Sequence, residues 1–175
     1  RWSCRAVGLA RGGAGGSADS LRVEWGVRVL GAATHRGWVV VGWLGIFARQ
    51  VGGSAWADWV AGCAASERLI GPVRNVDRGD VMSIPDAIIR ARALHVVEEN
   101  ERARDFAAAL RSADLHAAGQ LVMASHASLR DLYQISTPVM DAAVERMIHQ
   151  PGVFGARMTG GGFGGCIVAL TEPGA

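Results

Sequence analysis

The sequence predicts an α+β domain in which helices lead into a strand, a glycine turn and a second strand. Two observations carry this. Between residues 83 and 150, apolar side chains recur at helical spacing and are broken at intervals by cap residues. After them, a run from Gly160 to Gly165, with Phe163 the only non-glycine, separates short strand-like stretches around 156–159 and 167–170. Residues 1–58 carry neither period, so the N-terminal third reads as irregular.

Taken in order, that first third holds five of the six tryptophans, Trp2, Trp25, Trp38, Trp43 and Trp56, with Trp59 just beyond it. Gly12 to Ser17 reads as flexible linker. Trp38 to Ala48 is apolar but too short to span a bilayer. It begins too late for an export signal, although Ala55-Trp56-Ala57 has the small residues of a cleavage site. The division is therefore 1–58, a low-order extension, and 59–175, the domain proper. The Trp/Gly/Arg/Ala/Val bias of 1–58 suggests the hypothesis of an out-of-frame segment. Reading the encoding DNA in all frames tests it. The start at Arg1 suggests a fragment.

Ser83 is expected to cap the first long helix, with Pro85 and Asp86 in its first turn. Ile89, Ala93, Val96, Val97, Ala103, Ala107 and Leu110 form its apolar stripe, and Asn100 falls on the same stripe. Asp114 caps a second helix, with Leu115, Ala118, Leu121, Val122 and Ser125 on one face. Thr137 and Pro138 open a third, which turns Met140, Ala143, Val144, Met147 and Ile148 inward and ends at Pro151-Gly152.

All 18 basic residues are arginine, which excludes a Walker-type P-loop and its lysine. A net charge of +2 with scattered arginines points away from nucleic acid. No stretch reads as a membrane span. Cys4, Cys63 and Cys166 are too few and too far apart for a zinc site or a disulfide framework, which fits a reduced, cytoplasmic setting.

Glycine at the density of 160–165 gives up packing and backbone order. Two explanations stay open on the residues alone. Bare main chain lets a phosphate approach N–H groups lining a concave turn, or the segment is a glycine hairpin with no ligand.

The wording GARMTGGGFGGC, from Gly155 to Cys166, resembles the third signature motif of galactokinases in the GHMP family of small-molecule kinases. Upstream, Ser125-His126-Ala127-Ser128-Leu129-Arg130-Asp131, Tyr133, Ser136-Thr137-Pro138 and Asp141 resemble that family's SHxSLRDDYxxSxPxLD stretch. His95-Val96-Val97 with Glu99-Asn100 resembles its HVVTEN helix. Order and spacing agree across roughly 80–170. The resemblance implies a GHMP C-terminal domain, ferredoxin-like and incomplete at its C-terminus, with an unpaired sheet edge. It implies ATP-dependent phosphoryl transfer to the anomeric hydroxyl of galactose, with Mg2+ entering as part of the nucleotide complex.

In that family the sugar site, the catalytic aspartate and the main phosphate loop belong to the N-terminal domain, and no counterpart appears here. No catalytic residue is therefore assigned, and the fragment alone is expected to be inactive. The nucleotide-binding residues implied are Thr159, Gly160, Gly161, Gly162, Gly164 and Gly165. Thr159 reads either as a hydroxyl donor or as a plain strand-end threonine. Arg157 reads as solvated or salt-bridged rather than as a phosphate clamp, His126 as a packing or capping residue, and Cys166 as a small strand residue. Ser128, Arg130 and Asp131 are expected to brace the helix–loop junction.

The chain departs from the family pattern at Leu132, Gln134, Thr137 and Val139. Two acidic side chains are lost there, which puts the local polar network in doubt. The alternatives are a non-catalytic kinase-derived interaction module and another GHMP small-molecule kinase.

Overall fold

A computed structural model describes residues 27–34, 37–46, 54–72 and 75–172. The chain runs β1 (Val27–Thr34), β2 (Gly37–Ile46), α1 (Ser54–Ile70), α2 (Arg78–Met82), α3 (Ala87–Arg111), α4 (Leu115–Asp131), α5 (Pro138–Ile148), β3 (Val153–Thr159) and β4 (Gly165–Thr171). The expected α+β class holds, as do the two strands flanking the glycine turn. The linker reading of Gly12 to Ser17 and residues Cys4 and His35 lie outside the described residues.

The strands form one antiparallel sheet in the order β1-β2-β4-β3. This differs from the sequence reading in two ways. Part of the supposedly irregular N-terminal third is strand, because Val39-Val40-Val41 is a continuous β-branched run rather than an alternating one. And β4 has a strand on each side, since β2 pairs with it from Val40↔Thr171 to Ile46↔Gly165. Among the described residues the edge strands are β1 and β3.

The helix caps explain where the chain turns. Asp114 accepts the Ala117 amide at 2.9 Å, and Thr137 accepts that of Met140 at 3.3 Å with Pro138 in the first turn. Both follow the sequence. The cap of α3 does not. Asp86, not Ser83, accepts the Ile88 and Ile89 amides at 2.8 and 2.9 Å. An ionised acceptor taking two amides makes the stronger cap, and Pro85 has no N–H to continue a helix backwards. Ser83 instead ends α2, its hydroxyl donating to the Asp80 carbonyl at 2.6 Å.

The main core joins β3 and β4 to α4 and α5. Ala156, Met158, Ile167 and Ala169 of the strands bury against Leu129, Ile135, Met140 and Val144. A second cluster packs Val81 and Ile84 on Ala93 and Val97 of α3. Ala103, expected on the buried stripe, is exposed because it lines an open cleft beside Glu99, Arg102 and Phe106, while α3 rejoins the core at Ala109.

Candidate functional site

Two glycines that sequence reasoning passed over decide how α4 lies on the sheet. A Cβ on Gly119 would overlap the Phe154 carbonyl, and one on Gly155 would overlap the backbone of Gly119. With both side chains absent, α4 lies directly along edge strand β3. That contact sets Ser125 and His126 against Arg157 and Met158.

Beyond β3 the chain enters the glycine turn. Gly160, Gly162, Gly164 and Gly165 take φ of +108°, +86°, +126° and +126°, and Phe163 takes +56°. Such values are strained for any residue with a Cβ, so the glycines are required by backbone shape. The segment between α4 and α5 holds the turn from behind. The Phe163 amide donates to the Ile135 carbonyl at 2.8 Å. A Cβ on Gly162 would stand 2.6 Å from Ile135 Cβ, whereas one on Gly160 would meet nothing within 4 Å. Gly162 and Gly164 are buried, and Gly160 and Gly161 are exposed. The turn is thus anchored on one side and bare on the other.

A cleft of about 350 Å³ lies between α3, α4 and the sheet. Phe106, Leu121, Val122 and Leu170 make its apolar wall, and Glu99, Arg102, Ser125, Arg157 and Thr159 its polar end. The Glu99 carboxylate is the hub. It accepts from Arg102, from Ser125 Oγ at 2.6 Å and from Arg157 Nη1 at 3.2 Å. Arg157 also donates to Ser125 Oγ at 2.6 Å and to the Met158 carbonyl at 3.0 Å. Burial pushes the Glu99 carboxyl up, but these donors and the Arg102 charge outweigh it and hold it below the usual value.

The two buried histidines are neutral for the same primary reason, loss of water. His95 stacks on Tyr133 with ring centroids 4.1 Å apart, and its Nδ1 lies 2.7 Å from Ser128 Oγ. Burial lowers its pKa to about 4. His126 Nδ1 accepts the Met158 amide at 3.3 Å. Burial likewise holds its pKa down, against the pull of Asp141.

The expected residues therefore fall in different places. Thr159 ends β3 half-buried and lines the cleft. Gly160 and Gly161 are open to approach, Gly162 and Gly164 set the shape from inside, and Gly165 begins β4. Arg157 is salt-bridged, as its strand position suggested. Cys166 is half-buried in β4. Ser128 ties α4 to α3, while Arg130 and Asp131 are exposed and pair with each other at 2.7 Å. Ile135 and Gly119 were missed. A lone apolar residue after a polar loop and a lone mid-helix glycine carry a weak signal, since the partner that needs them is distant in sequence.

Among the described residues no group of three or more His, Cys, Asp or Glu side chains is placed to hold a metal ion. Nor is any described helix long and apolar enough to cross a membrane.

Residues 106–175 match the family described as GHMP kinases C terminal. The chain is 54% identical over 93 residues to a galactokinase of Bos taurus, covering 53% of this chain and 23% of that protein. It is 42% identical over 133 residues to a galactokinase of Chloroflexus aurantiacus, covering 69% of this chain and 34% of that one. The crystal structure of Lactococcus lactis galactokinase complexed with galactose superposes with a TM-score of 0.66 at 32% identity, covering 76% of this chain and 37% of that chain. The chain thus spans about a third or less of the length of these relatives.

Proposed function

We propose that this chain, whose residues 106–175 match the family described as GHMP kinases C terminal and which is similar to the C-terminal portion of galactokinases, forms the glycine-turn wall of a sugar kinase's nucleotide cleft. The reaction is transfer of the γ-phosphoryl group of ATP to the anomeric hydroxyl of galactose, with Mg2+ arriving on the nucleotide. A cytoplasmic setting goes with it.

The observation that carries this reading is the two-sidedness of the turn. Ile135 and Phe163 hold it from behind, and Gly160 and Gly161 present main chain to solvent with no side chain in the way. Phosphoryl transfer asks little of a protein beyond positioning and charge neutralisation, and fixed backbone N–H groups supply both. Thr159, one residue before the turn, adds a hydroxyl on the same strand end. Gly162, Gly164 and Gly165 act through conformation, holding the amides of Gly160 and Gly161 where the phosphates pass.

Proton abstraction from the sugar and most of the phosphate binding belong to parts of the enzyme outside the described residues. Half a cleft is poorly pre-organised, so nucleotide affinity of the chain alone is weak. A backbone-resolved NMR titration with MgATP tests this. The amides of Gly160 and Gly161 should shift at millimolar nucleotide, while those of β1 stay still. Unmoved glycine amides overturn the assignment. Micromolar affinity, or sugar phosphate formed from MgATP and galactose by the chain alone, overturns the division of labour.

A further inference from the structure

We propose that His126 is a positioning residue for the glycine turn, its neutral ring accepting the Met158 amide and thereby fixing the strand end from which the turn departs. The inference begins with the place of β3 at the edge of the sheet. The outward N–H groups of an edge strand have no ladder partner. Met158 is fully buried, so its amide cannot turn to water instead. His126, 5% exposed on α4, meets it with Nδ1 at 3.3 Å. Thr159 and Gly160 follow immediately.

An amide can only donate, so Nδ1 is unprotonated and the ring proton lies on Nε2. That nitrogen is buried, 3.2 Å from Asp141 Oδ1 but out of line for a hydrogen bond. The same Asp141 oxygen already accepts Ser136 Oγ at 2.6 Å. The charged groups facing the ring are Asp141 from α5, Arg157 from β3 and Arg130 from its own helix. Asp141 draws a proton onto the ring, and burial with the two arginines opposes it.

A ring carrying both protons has no acceptor left. The Met158 amide would then face an N–H, while Nε2 is drawn toward Asp141. The imidazole can hold the strand or carry charge, but not both. One protonation event thus unlatches β3 a single residue before Thr159. Its consequence for phosphate binding rests on the function proposed above; the positional claim does not.

The test is amide NMR on the whole chain without nucleotide. As pH is lowered through the His126 titration, the Met158, Gly160 and Gly161 amide shifts should follow the ring carbons with one midpoint. In His126→Asn the side-chain oxygen takes the place of Nδ1, so the Met158 amide should stay protected and the shifts become flat with pH. In His126→Leu its exchange should accelerate about tenfold or more, the loss of one buried hydrogen bond. Turn amides indifferent to the ring titration overturn the proposal, and so does Met158 protection that is the same in the Asn variant as in the Leu variant. Should the Leu variant not fold, the wild-type and Asn titrations decide alone. Intact coupling with no response to MgATP would sink the proposed function and leave the positioning role standing.

Discussion

Gly119 of α4 packs against Gly155 of β3 so closely that a methyl group on Gly155 would occupy the Gly119 main chain, while one on Gly119 would strike the Phe154 carbonyl. At this point helix and edge strand therefore touch backbone to backbone. The polar contacts that surround the turn, Ser125 with Arg157 and His126 with Met158, exist because of that closeness.

Gly119→Ala should destabilise the domain by about 2–3 kcal/mol, since overpacking against main chain outweighs the gain of about 1 kcal/mol in helix propensity. Urea unfolding measures it. A variant as stable as the parent would mean that α4 stands off the strand.

Gly162→Ala should cost more than Gly160→Ala. Both positions have positive φ, but only at Gly162 would the new methyl also strike Ile135. Combining Gly162→Ala with Ile135→Gly, which removes the Cβ that the new methyl would strike, should recover part of the loss. A double-mutant cycle with coupling near zero would refute the contact.

The hub at Glu99 predicts coupling between α3 and β3. Glu99→Gln keeps the shape but removes the charge between Arg102 and Arg157. The pair is partly exposed, so the expected loss is about 1–2 kcal/mol, between surface and buried ion pairs. Its coupling to Arg157→Met should shrink at high salt. Salt-independent coupling would point to packing instead.

Acid should loosen this domain before its carboxylates are protonated. The pKa of His95 lies near 4 in the folded chain and near 6.5 in the unfolded one, so between these values the unfolded state binds the extra proton. Stability is therefore full above pH 6.5 and is lost as pH falls toward 4, by about 2–3 kcal/mol from this ring. His126 acts in the same direction. Urea midpoints at pH 7, 5.5 and 4.5 should fall, and His95→Gln should flatten the trend. A parent midpoint independent of pH over that range would contradict the buried neutral ring.

Much of the architecture was legible from local signals. Asp114 and Thr137-Pro138 announce their helices because a cap is satisfied by amides two or three residues away. The strand–turn–strand unit is equally local, since a dense glycine run between apolar segments has few other uses. The failure at Ser83 was a choice between two good caps three residues apart. Charge and the second amide decided it for Asp86.

What the chain's own text determined, then, is which segments are helix or strand and where bare backbone is needed, because caps, spacing and glycine act over a few residues. Tertiary structure alone decided which glycines are open and which are packed, that β2 lies on β4, and that α4 sits near enough to β3 for His126 to reach Met158. Those outcomes depend on pairs such as Ile135 with Gly162 and Gly119 with Gly155, separated by dozens of residues. Complementarity of shape between distant surfaces leaves no periodic trace in a single sequence.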